Sequence, residues 1–301
     1  SKDARIRLLL SLSANLKVTD WLTLQARGNL DHSADKLRQK FYASTATALC
    51  GMNGRYIEMD YQETQMYGDV MAMVKKQLND FTLDVAIGGS INDRITNSTR
   101  IDSKNASLKY ANVFNLANIV MSSSASIDQK IDAHYQLQSV FATAQIGYKE
   151  GVFLDLTARN DWSSTLAYTK YEKKGFFYPS AGVSFLPDKW VKMPEWVSFS
   201  KFRGAYSIVG NGVPPFITYP VSYVTAGGEI LASDAAPFAE MKPEMTHSVE
   251  LGMEWKFLQH RLGLNLTYYR TDTYEQFFKL PALAGDKYAY CLLYTSPSPR
   301  D

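Results

Sequence analysis

Residues 4–18 read ARIRLLLSLSANLKV. The even positions are Ala4, Ile6, Leu8, Leu10, Leu12, Ala14, Leu16 and Val18, and the odd ones are Arg5, Arg7, Leu9, Ser11, Ser13, Asn15 and Lys17. Alternation with period two specifies a strand with one apolar and one polar face, because a helix would scatter the same apolar side chains around its whole surface. The run also far exceeds the ~5–6 residues of an ordinary globular strand. Thr19 and Asp20 make a tight turn, after which Leu22, Leu24, Ala26, Gly28 and Leu30 alternate with Thr23, Gln25, Arg27, Asn29 and Asp31. The two segments form a hairpin.

Four further hairpins follow from the same pattern. A weakly patterned segment before Leu78 precedes Phe81, Leu83, Val85 and Ile87. Val140, Ala142, Ala144, Ile146 and Tyr148 lead through Lys149-Glu150-Gly151 to Val152, Leu154, Leu156 and Ala158. Phe177, Ala181, Val183 and Phe185 lead to Phe202, Gly204, Tyr206 and Ile208, where the opposite parity of Val197 and Phe199 predicts a bulge or a later strand start. Val249 to Phe257 and Leu262 to Tyr268 make the fifth.

Connections within hairpins are short. Those between them, near 31–61, 92–131, 160–175 and 210–246, are long and polar or aromatic. In the clearly patterned strands Arg5, Arg7, Lys17, Arg27, Asp31, Asp84, Asp155, Arg159, Glu250, Glu254 and Lys256 fall on the polar parity. Arg or Lys on a lipid face costs roughly 2–4 kcal/mol at the bilayer midplane, so this segregation suits strands standing between lipid and a wet lumen. The expectation is all-β: an antiparallel transmembrane β-barrel, incomplete, with about ten strands of a larger ring, short periplasmic turns and long extracellular loops. Trp21 and Trp255, near short turns, fit an interfacial aromatic girdle.

Composition agrees. The chain has 301 residues, 46% hydrophobic and 21% charged, which excludes disorder. A net charge of +2 gives no reason to expect nucleic acid as a partner. No run of 18 apolar residues exists, so no membrane-spanning helix is encoded, a fact that says nothing against strands. The opening SKDARIRLLL carries no initiating Met and no signal segment, so an internal fragment is expected. The closing CLLYTSPSPRD, residues 291–301, resembles a translated sequencing adapter and is expected to be a non-native tail. Cys50 is then the one native thiol, read as an inert loop residue.

Enzyme signatures are missing: there is no G-x-S-x-G, H-E-x-x-H, P-loop or G-x-G-x-x-G, and His32, His134, His247 and His260 are dispersed. Neither catalysis, a metal nor a cofactor is expected.

The strand-end phrases LTARNDWSSTL (156–166), YPSAGVSF (178–185), FSKFRGAYSIVGNG (199–212), KPEMTHSVELGMEW (242–255) and RLGLNLTYYRTDT (261–273), in that order, resemble SusC-like (RagA-type) TonB-dependent outer-membrane transporters. The resemblance implies a 22-stranded plugged barrel in the Gram-negative outer membrane, importing oligosaccharides or peptides with energy from TonB. It also implies a SusD-like surface lipoprotein over the extracellular mouth. Residues 1–290 would supply wall and loops, with the plug, the TonB-contacting part and the terminal aromatic-ended strand lying elsewhere.

Sugar rings are held by aromatic faces ringed with polar groups, and peptides by mixed pockets. On that chemistry the candidate substrate-binding residues are Arg159, Asn160, Asp161, Trp162, Tyr168, Tyr171 and Tyr219, with Phe41, Tyr42, Tyr56, Phe216 and Tyr223 qualifying by loop position. Trp162, following Arg159-Asn160-Asp161 at a strand's loop end, is the first choice. Two other readings stay open from the residues alone. A passive porin-type barrel would lack a plug upstream, and a soluble β-sandwich adhesin or carbohydrate-binding module would bury the apolar parity and fold without detergent.

Overall fold

The computed structural model describes the backbone of residues 1–104, 108–120, 126–219, 222–224, 228, 230–231, 236–281 and 290–294. Ten long strands build one antiparallel sheet: β1 (Lys2–Lys17), β2 (Leu22–Phe41), β3 (Arg55–Leu78), β4 (Phe81–Asp102), β5 (Ser126–Tyr148), β6 (Val152–Ser163), β7 (Phe176–Phe185), β8 (Val197–Asn211), β11 (Glu244–Phe257) and β12 (Leu262–Tyr274). Each pairs with its sequence neighbour, and β8 pairs with β11 across an insertion holding the short ribbon β9 (Tyr223–Val224) and β10 (Ile230–Leu231). β1 and β12 are the two edges, so among the described residues the sheet is an unclosed wall.

All five hairpins stand where the alternation places them. The parity break in β8 is a bulge: Lys256 faces Phe199 and Phe257 faces Val197, leaving Ser198 outside the ladder. Lys149 and Glu150, with φ of 47° and 52°, are the two central residues of a tight turn closed by Gly151 N–H donating to Tyr148 O at 3.1 Å, and their left-handed geometry suits the twist of the flanking strands.

Opposed residues of an antiparallel pair share a face, so the register maps both faces directly. One row runs Leu16, Leu24, Ala72, Ile87, Ala142, Ala158 across β1 to β6. The opposite face carries Ser13, Arg27, Asp69, Ser90, Ser139 and Asp161 over the same strands. The apolar face has no cover among the described residues: Ile6 is 74% and Ile87 60% exposed. A β-sandwich would bury these side chains. The polar face is instead tied together, by Arg5–Asp35 at 2.5 Å, Arg7–Asp31 at 2.6 Å, Arg27–Asp69 at 3.0 Å and Arg94–Glu63 at 2.8 Å. Core logic is thus inverted, as a membrane wall requires.

Two aromatic belts bound the apolar face. Near the short turns, Phe81 packs tilted against Tyr148 (4.7 Å) and Tyr148 against Trp190 (5.4 Å), while Trp196 stacks on Phe257 (5.6 Å), with Trp255 beside them. About ten residues further along each strand, the length of a tilted membrane strand, lie Trp162, Phe177, Tyr206 and Tyr274.

The strands outrun their expected ends. β2 extends to Phe41 and β3 begins at Arg55, so the stretch expected as a loop over 31–61 is mostly ladder, and the loop is residues 42–54. Likewise β4 runs to Asp102 and β5 starts at Ser126, so the two flanks of the loop expected over 92–131 are ladder as well. At the other end, Tyr290–Tyr294 forms β14 against β13 (Phe277–Pro281), which places the first residues of the expected tail in a ladder; 295–301 lie outside the described residues.

Candidate functional site

The loop end of the wall carries two small cores of its own. In one, Tyr56, Leu108 and Ile119 pack with Ile101 and Phe114. Asn118 closes it, donating from Nδ2 to the carbonyls of Tyr110 (2.8 Å) and Val113 (2.7 Å) and accepting from Tyr110 N–H (2.9 Å). Beneath it the 1%-exposed Asp102 accepts from Arg55 Nε (2.8 Å) and Nη2 (2.7 Å), Arg100 Nη2 (2.9 Å) and Lys104 N–H (2.9 Å). Burial alone would raise the Asp102 carboxyl; the Arg55 hydrogen bond, the Lys104 N–H and the two cations outweigh it and hold the pKa below the ordinary range. Cys50 is buried there, its thiol directed at the carbonyls of Tyr42 and Thr45.

In the second core, Leu166, Val213 and Met241 pack with Phe176, Ile217, Phe238 and Phe277, joining the β6–β7 loop to the β8–β11 insertion. Thr218 Oγ1 donates to Ala167 O at 3.0 Å, Lys170 N–H to Ala239 O at 3.0 Å, and Lys170 pairs with Glu240.

On this second core stands an aromatic pair. Tyr168 and Tyr219 pack at 4.9 Å with their rings tilted by 38°, and are 72% and 54% exposed. Tyr168 holds φ of 64°, a left-handed conformation that costs a non-glycine residue roughly 1–2 kcal/mol. Tyr171 turns inward against Phe176 at 6.3 Å, with Lys174 and Lys242 ammonium groups 5.6 and 5.4 Å from its ring centre.

The seven sequence-derived candidates therefore divide. Tyr168 and Tyr219 meet. Arg159 and Asp161 share the polar face, joined at 2.7 Å, with Arg159 also donating to Ser139 Oγ at 2.8 Å. Asn160 and Trp162 take the other parity: Trp162 faces Gln138 in the row that begins Leu12, Gly28, Gly68, Ile91. The Arg-Asn-Asp-Trp run is thus no single patch, since a strand turns successive side chains to opposite sides. Of the wider set, Tyr56 is core, Tyr42 packs edge-on to Phe114 at 5.0 Å, Phe41 lies under the Arg55 guanidinium, and the Tyr223 side chain lies outside the described residues. Sequence reading missed Leu108, Ile119, Leu166, Val213 and Met241, whose partners are far away in the chain and follow no period.

For Trp162 this position gives an expected outcome: brominated outer-leaflet lipid quenches the fluorescence component lost in Trp162→Phe, and Trp162→Ala leaves ligand affinity within about twofold. Quenching by an aqueous-phase agent alone would return Trp162 to the lumen.

Comparison with known proteins now bears on this wall. Residues 1–295 match the family described as TonB dependent receptor-like, beta-barrel. TonB-dependent receptor P3 of Formosa agariphila is 26% identical over 156 residues, covering 48% of this chain and 15% of that protein. Among solved structures, the RagAB peptide transporter superposes with a TM-score of 0.79 at 17% identity, over 96% of this chain and 32% of that one. The siderophore receptor PiuA from Acinetobacter baumannii gives 0.57 at 13% identity, over 96% and 42%. At these identities the two structures speak to fold. The chain spans less than half the length of each of these relatives.

Proposed function

Because this chain belongs to the TonB dependent receptor-like β-barrel family of the outer membrane, we propose that it is wall and extracellular loop of an active importer. In this reading, energy from TonB arrives through a part outside these residues. The observation that carries the reading is the sheet with an uncovered apolar face and a hydrogen-bonded polar face, topped by loops with their own cores. A passive pore would share the two faces, and the family match favours the energised version.

The ligand is proposed to be an oligosaccharide or a peptide, met first by Tyr168 and Tyr219. Two exposed rings held over a packed base offer π-faces to a sugar ring or an apolar side chain with little ordering cost. The strain held at Tyr168 is understandable if the ring's outward pose is what the loop maintains. A SusD-like lipoprotein is the proposed partner over this end; the matched RagAB structures are described as a peptide importer in open-open and closed-closed states.

The test is titration of the intact outer-membrane protein with defined oligosaccharides and oligopeptides. Tyr168→Ala and Tyr219→Ala are each expected to weaken binding about tenfold, the double change little further because one platform is lost either way. Unchanged affinity for every ligand that binds the parent would remove the platform from the site.

A further inference from the structure

The polar face of β5–β12 differs from that of β1–β4. In place of bidentate ion pairs it carries one continuous row of hydroxyls, with Thr143, Thr157, Ser180, Ser207, Ser248 and Thr271 directly opposed across six strands. The next row toward the short turns reads Gln145, Asp155, Gly182, Ala205, Glu250 and Tyr269. At its centre two positions have almost no side chain, and the wall dips into a recess of about 280 Å³ edged by Asp155, Ser180, Ser184, Arg203, Ser207 and Glu250.

Gly182 is not required by the backbone. Its φ lies outside the left-handed region, and an added Cβ would meet nothing closer than 3.7 Å, whereas a Cβ at Gly88 would strike Val70 O at 2.5 Å. Space is what this glycine provides. The charge around it is unbalanced. Glu250 is paired with Arg203 at 3.0 Å, and Arg203 also donates to Thr267 Oγ1 at 3.0 Å. Asp155 accepts a hydrogen bond from Gln145 Nε2 at 2.6 Å, and among the described residues no cation pairs with it. Two carboxylates thus face one guanidinium across a gap lined by hydroxyls. The volume falls below the ~300–1,000 Å³ of pockets that enclose a whole ligand.

We propose that this recess seats a single basic side chain, a lysine ammonium or an arginine guanidinium, carried by polypeptide lying in the lumen. Asp155 supplies the counter-charge, the Ser180 and Ser207 hydroxyls accept its remaining N–H groups, and the missing side chains of Gly182 and Ala205 give it room. The inference rests on reading this face as the lumen.

The test uses the intact outer-membrane protein that carries this wall, in detergent. Fluorescent tetralysine, with tetraglutamate as control, is titrated against the parent, Asp155→Asn, Gly182→Val and the opposite-face control Ala181→Val. If the basic group belongs to a passing peptide, tetralysine binds preferentially, and Asp155→Asn and Gly182→Val each weaken it about tenfold while Ala181→Val does not. If it belongs to the protein's own lumen-filling segment, the same two variants lower the peptide-free melting temperature relative to Ala181→Val. Near-isosteric Asp155→Asn keeps the question open to measurement should Gly182→Val fail to fold. Asp155→Asn matching the parent in both readouts overturns the proposal. Separately, Ser180→Cys must react with a membrane-impermeant maleimide; failure there would sink the wall reading itself, whatever the titrations give.

Discussion

Ile87→Arg is expected to abolish assembly of the intact protein in the outer membrane, while Ala86→Arg, one residue earlier on the same strand, leaves the assembled amount within about twofold. Ile87 stands midway between the Phe81–Tyr148 belt and the level of Trp162, 60% exposed on the apolar face. Its ladder neighbours Ala72 and Ala142 offer a charge neither counter-ion nor hydrogen bond. A guanidinium there costs roughly 2–4 kcal/mol, comparable with much of a domain's net stability. Ala86 lies at the same depth on the other face, opposite Thr143 and two residues from Asp84, so the same cation meets water and a carboxylate. Heat-modifiable gel mobility of outer-membrane fractions measures the outcome. Equal loss in both variants would mean that both faces are packed against protein, and the membrane reading would fail.

The contrast also shows why the sequence could be read as far as it was. Hydrophobic alternation is written only where one face meets lipid and the other water, and there it gives hairpins and parity; at the parity break before Phe202 it allows a bulge or a later strand start, and the ladder shows the bulge, at Ser198. Beyond the bilayer both faces of β2 and β3 are wet. Segments such as HSADKLRQK (32–40) and EMDYQET (58–64) therefore carry polar residues on both parities and look like loop, although the ladder continues without a register shift. What holds these extensions is cross-strand pairing, such as Arg38–Glu58 at 2.8 Å and Arg5–Asp35 at 2.5 Å, which a one-dimensional pattern does not display. Trp162 is a different case. Counting on from Leu154, Leu156 and Ala158 already assigns it to the apolar parity. Reading NDWSST as the start of a loop hid that count, because β6 in fact continues to Ser163. Tyr168 and Tyr219 were recognisable as exposed aromatics, but their meeting depends on the core of Leu166, Val213 and Met241, which joins loops distant in the chain.

The first loop core should open far more readily when Asp102 is changed, and Cys50 reports it. In a Cys291→Ser background, maleimide labelling of Cys50 is slow in the parent, since this residue is 1% exposed within the folded loop of residues 42–54. Arg55 ties that loop directly, donating from Nη1 to Leu49 O at 3.1 Å while its other nitrogens hold Asp102. Asp102→Ala removes the acceptor for Arg55, Arg100 and the Lys104 N–H together. Breaking a fully buried pair costs ~3–5 kcal/mol; Arg55 retains some access to water, so about 2–3 kcal/mol applies here. Labelling should then accelerate about 30–140-fold, at about 1.4 kcal/mol per decade. The pH dependence has a definite sign. The folded-state pKa of Asp102 is depressed, so its contribution is complete above the unfolded value near ~3.9 and disappears as pH falls through the lower folded value. A protection step in that acid window in the parent, absent from Asp102→Asn, is the expected profile, read by hydrogen exchange of residues 42–58 because maleimide needs a thiolate. Identical acid profiles in the two proteins would show that the apolar packing of Tyr56, Leu108 and Ile119 closes this loop without the carboxylate.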